Sequence, residues 1–447
     1  MKRLLSGSPW VVKGPKQWVR DASVLIDEGT IVEIGSAFDM ANRHADAEQI
    51  DCSDLILMAG FSNCHNHIYE ILCRGLGKNG GLEDWLANTI YPVTRALTED
   101  DYFHGALLGA ADCFRTGTTG VVSQLTNFAR FHADAEARGF AEAGIRARVV
   151  RASSTDSIID PAENGEPGRE LDEAEEFLDR WHDGTRVRGA LGPAGLFSCD
   201  PDTQVRLKDL ASTRGVKYFT HLNETRHQHD TARSKGYQGQ VDWAFRIGIL
   251  DADTVVAHAV WSSAAEIAML SDTGATVVHN PSSNMVLGSG IAPISQMLKA
   301  GVRVLVATDG PASNDSHDMF TEMKTAALLQ KVAALDPTVI DADTVFGMAT
   351  EAGAHVFDLE GSIGRLEPGY KADIVGIRVG GNPSVQPIFD PVAALVYYGS
   401  GRDVAFTMIE GEFVYRDGEY PTINLAEVLE FVQTQTVPRV ERALGLN

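Results

Sequence analysis

Along the first 58 residues, apolar positions fall in short β-like runs. Ala22 to Ile26 and Thr30 to Ile34 flank the turn residues Asp27-Glu28-Gly29, the pattern of a hairpin. From about residue 59 the texture changes, and short apolar runs alternate with helix-length amphipathic stretches. Runs at 120–122, 147–150, 187–191, 218–221, 254–258, 276–279 and 302–307 predict strands. Stretches at 102–115, 170–181, 204–212, 240–247, 263–271 and 294–300 predict helices between them. That rhythm means parallel βαβ units. Counting the run Leu55-Ile56-Leu57-Met58 as the first strand gives eight, the number of a closed (β/α)8 TIM-type barrel. An open doubly wound sheet would show the same rhythm. After residue 361 the β texture returns at 372–377, 393–397, 404–409 and 413–415, with Glu410-Gly411-Glu412 as a turn and Leu425 to Leu444 as a helix. Neither end is long enough to stand alone. Residues 1–58 and 361–447 are therefore expected to combine into one small β-sandwich domain beside a barrel spanning 59–360.

Composition narrows the function classes. Lys plus Arg number 38 against 61 Asp plus Glu, a net charge of −23, which argues against a nucleic-acid partner and supplies no basic patch for anionic lipid. Five cysteines, odd in number, scattered and without CxxC spacing, predict neither a disulfide framework nor a thiolate zinc site. The opening MKRLLSGSPWVVKG is broken by Gly7 and Pro9 and does not read as a signal peptide. No apolar run approaches the length of a membrane span. The expectation is a cytoplasmic, reduced, soluble protein that assembles as a homo-oligomer, a dimer or tetramer.

The chemistry concentrates at predicted strand ends. FSNCHNHIYE, residues 61 to 70, sets His65 and His67 one residue apart; on an extended backbone both point to one face and both rings can reach one ion. His221, His258 and His279 each end a predicted strand, and Asp309 follows another. In a parallel barrel these ends form one mouth, where active sites are built. Three imidazoles and a carboxylate make a plausible shell for a divalent transition metal with a position open to water. Singly, each residue reads more simply: a lone histidine as a hydrogen-bonded structural group, Asp309-Gly310 as a turn, Glu224 as a helix-terminal carboxylate. Their coincidence changes the reading. The other eight histidines, His227 among them, are expected to be surface or packing groups, and residues 73–81 a flexible loop over the mouth.

Five stretches together resemble the amidohydrolase superfamily, in its cytosine-deaminase-like branch: MAGFSNCHNH (58–67), THLNET (220–225), VVAHAVW (255–261), VVHNPSSNMVLGSGIAPI (277–294) and VATDGPASND (306–315). The resemblance implies that His65, His67, His221 and Asp309 hold one divalent metal ion, zinc in the first place and Fe2+ in the second. A bridging lysine is absent from GALGPAGLFSC (189–199), which favours a single ion. It further implies that Asp309 accepts a proton from the attacking water. Glu224 then carries protons to the ring nitrogen and the departing amine, and His258 stabilises the attacking oxygen. The expected reaction is hydrolytic deamination of an amino-substituted nitrogen heterocycle of purine, pterin, pyrimidine or triazine type. Displacement of chloride, alkylthiol or alkylamine from a triazine is the alternative, and a non-catalytic binding protein a lesser one. Trp85 as a stacking aromatic, with Gln124, Asn127, His279 and Asn284, are the expected substrate contacts. Ala194 stands where many members of the branch carry a histidine, which weakens the case for adenosine-type substrates.

Overall fold

The computed structural model describes residues 2–157, 159–184 and 186–446. Sixteen strands form two eight-stranded sheets among these residues. One sheet is made by the chain ends: β1 (Arg3–Gly14), β2 (Gln17–Asp27), β3 (Thr30–Ser36), β4 (Glu48–Asp51) and β5 (Leu55–Ala59) join the C-terminal strands described below. The other is the barrel: β6 (Phe61–Asn63), β7 (Thr118–Leu125), β8 (Arg146–Ser153), β9 (Val187–Pro193), β10 (Tyr218–Leu222), β11 (Thr254–His258), β12 (Thr276–His279) and β13 (Val304–Val306). These eight pair in parallel and in chain order, with helices between them. Their inward faces share a core to which each of the last seven contributes one residue: Val122, Val150, Ala190, Phe219, Val255, Val278 and Leu305. Val356 and Phe357 join that core from the turns that follow the last barrel helix.

The terminal sheet is completed by β14 (Ile374–Arg378), β15 (Val404–Ile409) and β16 (Glu412–Arg416), in the order β16-β15-β14-β5-β1-β2-β3 with β4 beside β1. β14 lies between β5 and β15, antiparallel to both, so the two chain ends are hydrogen-bonded together. A separate core that includes Val11, Val24, Leu57, Ile374 and Phe406 belongs to this sheet.

Two sequence expectations need correction. Leu55–Met58 is not the first barrel strand: β5 pairs with β1 and β14 in the terminal sheet, and the barrel begins with the three-residue β6 after Gly60. Ala393–Tyr397 is not a strand but part of a helix, Pro391–Tyr397, whose Asp390 side chain accepts from Val392 N and Ala393 N. Proline at the first turn after an aspartate is a helix-start signal that outweighs a short apolar run. The terminal helical stretch runs from Leu425 to Leu444 with a π-helical turn at Val432–Thr436.

Candidate metal and catalytic centre

The seam between the first and last barrel strands brings the site together. Asn63 Nδ2 and Asn66 Nδ2 both donate to Thr308 Oγ1 (2.7 and 2.9 Å), and Thr308 N donates back to Asn63 Oδ1 (3.1 Å). Asp309 N donates to His65 O (3.2 Å), so residues 244 positions apart in the chain share one backbone bond. Asp309 sits in the left-handed region (φ 64), which turns its carboxylate into the mouth. Alternation on the strands explains which polar residues face inward. His221 lies two residues beyond the inward Phe219, whereas Asp309 lies past the end of β13 and is placed by its left-handed backbone and its bond to His65 O rather than by strand alternation. His258 lies three beyond Val255, the outward parity, but its own left-handed backbone (φ 71) reverses it. His279, one beyond Val278, has no such twist.

The convergence is tight. His65 Nε2 and His67 Nε2 lie 3.3 and 3.6 Å from Asp309 Oδ1, and His67 Nε2 lies 3.3 Å from His221 Nε2. Donor atoms of His65, His67 and Asp309, and likewise of His65, His221 and His258, all lie within 4.8 Å of one another. His67 Nδ1 donates to Gln124 O and His221 Nδ1 to Ala194 O, each at 2.6 Å. Burial pushes His67 down to about 4 and His221 well below the usual imidazole range, so both rings are neutral. A neutral ring protonated at Nδ1 presents a bare lone pair at Nε2. Two such lone pairs face each other, next to a third buried nitrogen, His65 Nε2, that has no hydrogen-bond partner. This donor set fits a divalent cation, with the backbone carbonyls fixing ring orientation from behind. Burial would raise Asp309, but His65, His258 and His67 together hold its carboxyl well below the usual range.

On the other side of this cluster stands Glu224, 3% exposed. Its Oε2 lies 3.7 Å from His258 Nε2, which is 3.8 Å from Asp309 Oδ2. His258 Nδ1 lies 2.9 Å from Asn284 Oδ1, which makes Nδ1 a donor and aims Nε2 between the two carboxylates. Burial, reinforced by Asp309 and Glu83 against the opposing pull of His258, pushes Glu224 up to about 7, a value suited to proton transfer near neutrality. Glu224 does not cap the following helix. Thr225 does, in a reciprocal arrangement with Gln228.

A cavity of about 160 Å3 opens over these groups. Its wall includes His67, His221, Glu224, His258 and Asp309 and, of the expected substrate contacts, Trp85 and Asn127. Gln124, His279 and Asn284 do not line it. Gln124 Nε2 is spent on Pro193 O (2.9 Å), Asn284 faces His258, and His279 is fully buried with neither ring nitrogen partnered. Among the lining residues that sequence reasoning missed, three are titratable acids or imidazoles: Glu70, Glu83 and His227. Glu70 is buried beside Asp309, in space that only a glycine at position 310 leaves free. Its place one 3-10 turn after His67 was a usable signal; that of His227, three residues beyond Glu224, was weaker. The loop at 73–81 leads into Leu82, Glu83, Trp85 and Leu86, which form one side of the cavity.

Residues 56–414 match the model of the amidohydrolase family. A 5-methylthioadenosine/S-adenosylhomocysteine deaminase of Nitratidesulfovibrio vulgaris (strain Hildenborough) is 36% identical over 417 residues, covering 93% of this chain and 92% of the relative. A 5'-deoxyadenosine deaminase of Methanothermobacter thermautotrophicus is 35% identical, covering 93% and 94%. Among solved structures, an adenosine deaminase from Xanthomonas campestris with bound zinc superposes with a TM-score of 0.92 at 28% identity, covering 98% of both chains.

Proposed function

The chain belongs to the amidohydrolase family, and on that premise we propose that it is a metal-dependent hydrolytic deaminase acting on an amino-substituted nitrogen heterocycle. The observation that carries the reading is the pair of bare Nε2 lone pairs of His67 and His221, 3.3 Å apart, with Asp309 on one side and Glu224, pushed up to about 7 by burial, on the other. His65, His67, His221 and Asp309 would hold one ion, zinc first and Fe2+ second; the 189–199 segment has no lysine to bridge a second. Such an ion supplies the Lewis acidity that makes water nucleophilic at neutral pH.

The chain's own residues account for the remaining steps. Asp309, with Oδ1 toward the histidines and Oδ2 toward His258, takes the proton of the attacking water. His258 Nε2, set between the Asp309 and Glu224 carboxyls, stabilises charge developing on the attacking oxygen. Glu224 gives its proton to the ring nitrogen next to the attacked carbon, takes the proton of the hydroxyl added there and passes it to the leaving amine, which departs as ammonia; the proton held by Asp309 then restores Glu224. Trp85, 5% exposed and lining the cavity, packs against the planar ring, and Asn127 offers polar contacts at its edge.

The relatives named above make aminopurine nucleosides the first compounds to test, although Ala194 lines the cavity where the branch often has a histidine. A screen of aminopurines, their 5'-modified nucleosides, pterins, pyrimidines and triazines with metal-replete protein should show ammonia release from at least one class. Release of halide or alkylamine without ammonia, or no product from any class, would overturn the proposal.

A further inference from the structure

We infer that the cavity selects by charge the group carried by the heterocycle, and that Glu83 is the residue that sets this selection; the inference rests on the deaminase reading above and narrows its substrate class. Much of the wall is apolar, with Leu82, Leu86, Tyr91, Leu196, Phe197 and Leu287 among its residues. Among the described lining residues there is no lysine or arginine, while Glu70, Glu83, Glu224 and Asp309 supply four carboxyl groups. Glu70, Glu224 and Asp309 are buried around the reacting centre; Glu83 is the partly exposed one. Its Oε1 accepts from Thr225 Oγ1 (3.2 Å), which fixes it beside the residue that follows Glu224.

Nearby cations do not line the cavity and are engaged elsewhere; Lys235 Nζ lies over the Phe197 and Trp243 rings, 5.1 and 4.9 Å from their centres. Lys78 Nζ is 2.8 Å from both Asp315 Oδ2 and Ala312 O. Arg226 pairs with Asp230 (3.5 Å) and lies over the Trp261 ring. Arg130 and Arg151 are buried against Glu170. A carboxylate entering this cavity would lose hydration, gain no cation and meet Glu83, so its binding is disfavoured. A neutral thioether would lie on the apolar wall at no such cost, and an ammonium group would pair with Glu83. The site is therefore built for heterocycles with a neutral or cationic appendage. Of the two compounds named for the relatives, the methylthio compound fits it better than one whose tail carries a carboxylate.

The test uses the metal-loaded full chain at pH 8.5, above the range in which imidazoles usually carry charge. Three 5'-thioadenosines are compared by ammonia release: the methyl, the 2-carboxyethyl and the 2-aminoethyl derivatives. The wild type should prefer methyl over carboxyethyl by about 10²-fold or more in kcat/KM, and the preference should shrink as salt is raised. Glu83→Lys should raise kcat/KM for the carboxyethyl compound at least about tenfold while lowering it for the aminoethyl compound. Glu83→Gln, which keeps size and polarity, should fall between and covers the case in which the lysine variant fails to fold. Wild-type values within about threefold of one another, or variants that change all three alike, would overturn the charge selection while leaving the deaminase reading in place. No ammonia from the methyl compound would overturn the thioadenosine substrate class and the selection with it.

Discussion

Replacing Glu224 by Gln separates proton transfer from every other role this residue can have. The amide keeps the shape and hydrogen-bonding reach of the side chain but carries no proton at neutral pH. Because Thr225 and Gln228 cap the helix, no capping energy is lost, and metal content should be unchanged since the expected ligands are other residues. Loss of a general acid–base should lower kcat by roughly 10² to 10⁴ with a much smaller change in KM. Stability supplies an independent check. The folded protein raises Glu224 from 4.5 to about 7, so it binds this proton more tightly than the unfolded chain. The resulting stabilisation is full below pH 4.5 and disappears as pH rises to about 7. At 1.36 kcal/mol per pH unit, that interval bounds the effect at about 3 kcal/mol. Metal-free Glu224→Gln has no such loss, and should gain on metal-free wild type by up to that amount between acid pH and pH 8. Chemical denaturation at several pH values, elemental analysis and steady-state ammonia assays measure the three quantities. Full turnover in metal-loaded Glu224→Gln would refute the assignment.

Three further outcomes are expected. Purified protein should carry about one divalent ion per chain, and His65→Ala or Asp309→Ala should lose both metal and activity; elemental analysis showing two tightly held ions would argue against a single-ion site. Ending the chain at residue 360 should give insoluble or unfolded protein, because β14 covers the edge of β5 and closes the core of the terminal sheet; a folded, active product by circular dichroism and assay would contradict this. Glu410 joins the two sheets, accepting from Arg186 Nη2 (2.9 Å), Lys371 Nζ (2.8 Å) and Arg146 Nη2 (3.3 Å). Burial alone would raise it, but these cations push it down to about 2. Its contribution is present above pH 4.5 and lost as pH falls through about 2, so Glu410→Gln should cost roughly 1.5–3 kcal/mol at pH 7 and nothing near pH 2, as read from denaturant midpoints.

Much of the site is legible in the amino-acid sequence because barrel geometry is regular. The C-terminal ends of parallel barrel strands share one mouth, so HxH at 65–67, His221, His258, His279 and Asp309 are legible as one group once the barrel is assumed, and the family resemblance implies which of them hold the ion. The same reasoning treats His258 and His279 alike, since both end an apolar run. Only the folded backbone distinguishes them. Outward parity keeps His279 off the cavity, whereas a left-handed residue at His258 brings its ring to within 3.8 Å of Asp309.

The chain by itself thus determined the βαβ rhythm, the return to β texture near the C-terminus and the residue types that can hold an ion, because each depends on local periodicity and side-chain chemistry. Tertiary structure decided what depends on distant partners. Leu55–Met58 has the apolar run of a barrel strand, yet β14, more than 300 residues later, claims its hydrogen bonds for the other sheet. Gln124 has the right parity for a substrate contact, yet Pro193 O takes its amide. Glu83 and His227 carry no periodic signal, and they reach the cavity through the packing of the 82–86 and 226–231 segments around its rim. Pairing between distant backbones is a competition among all available edges, and no local pattern records its outcome.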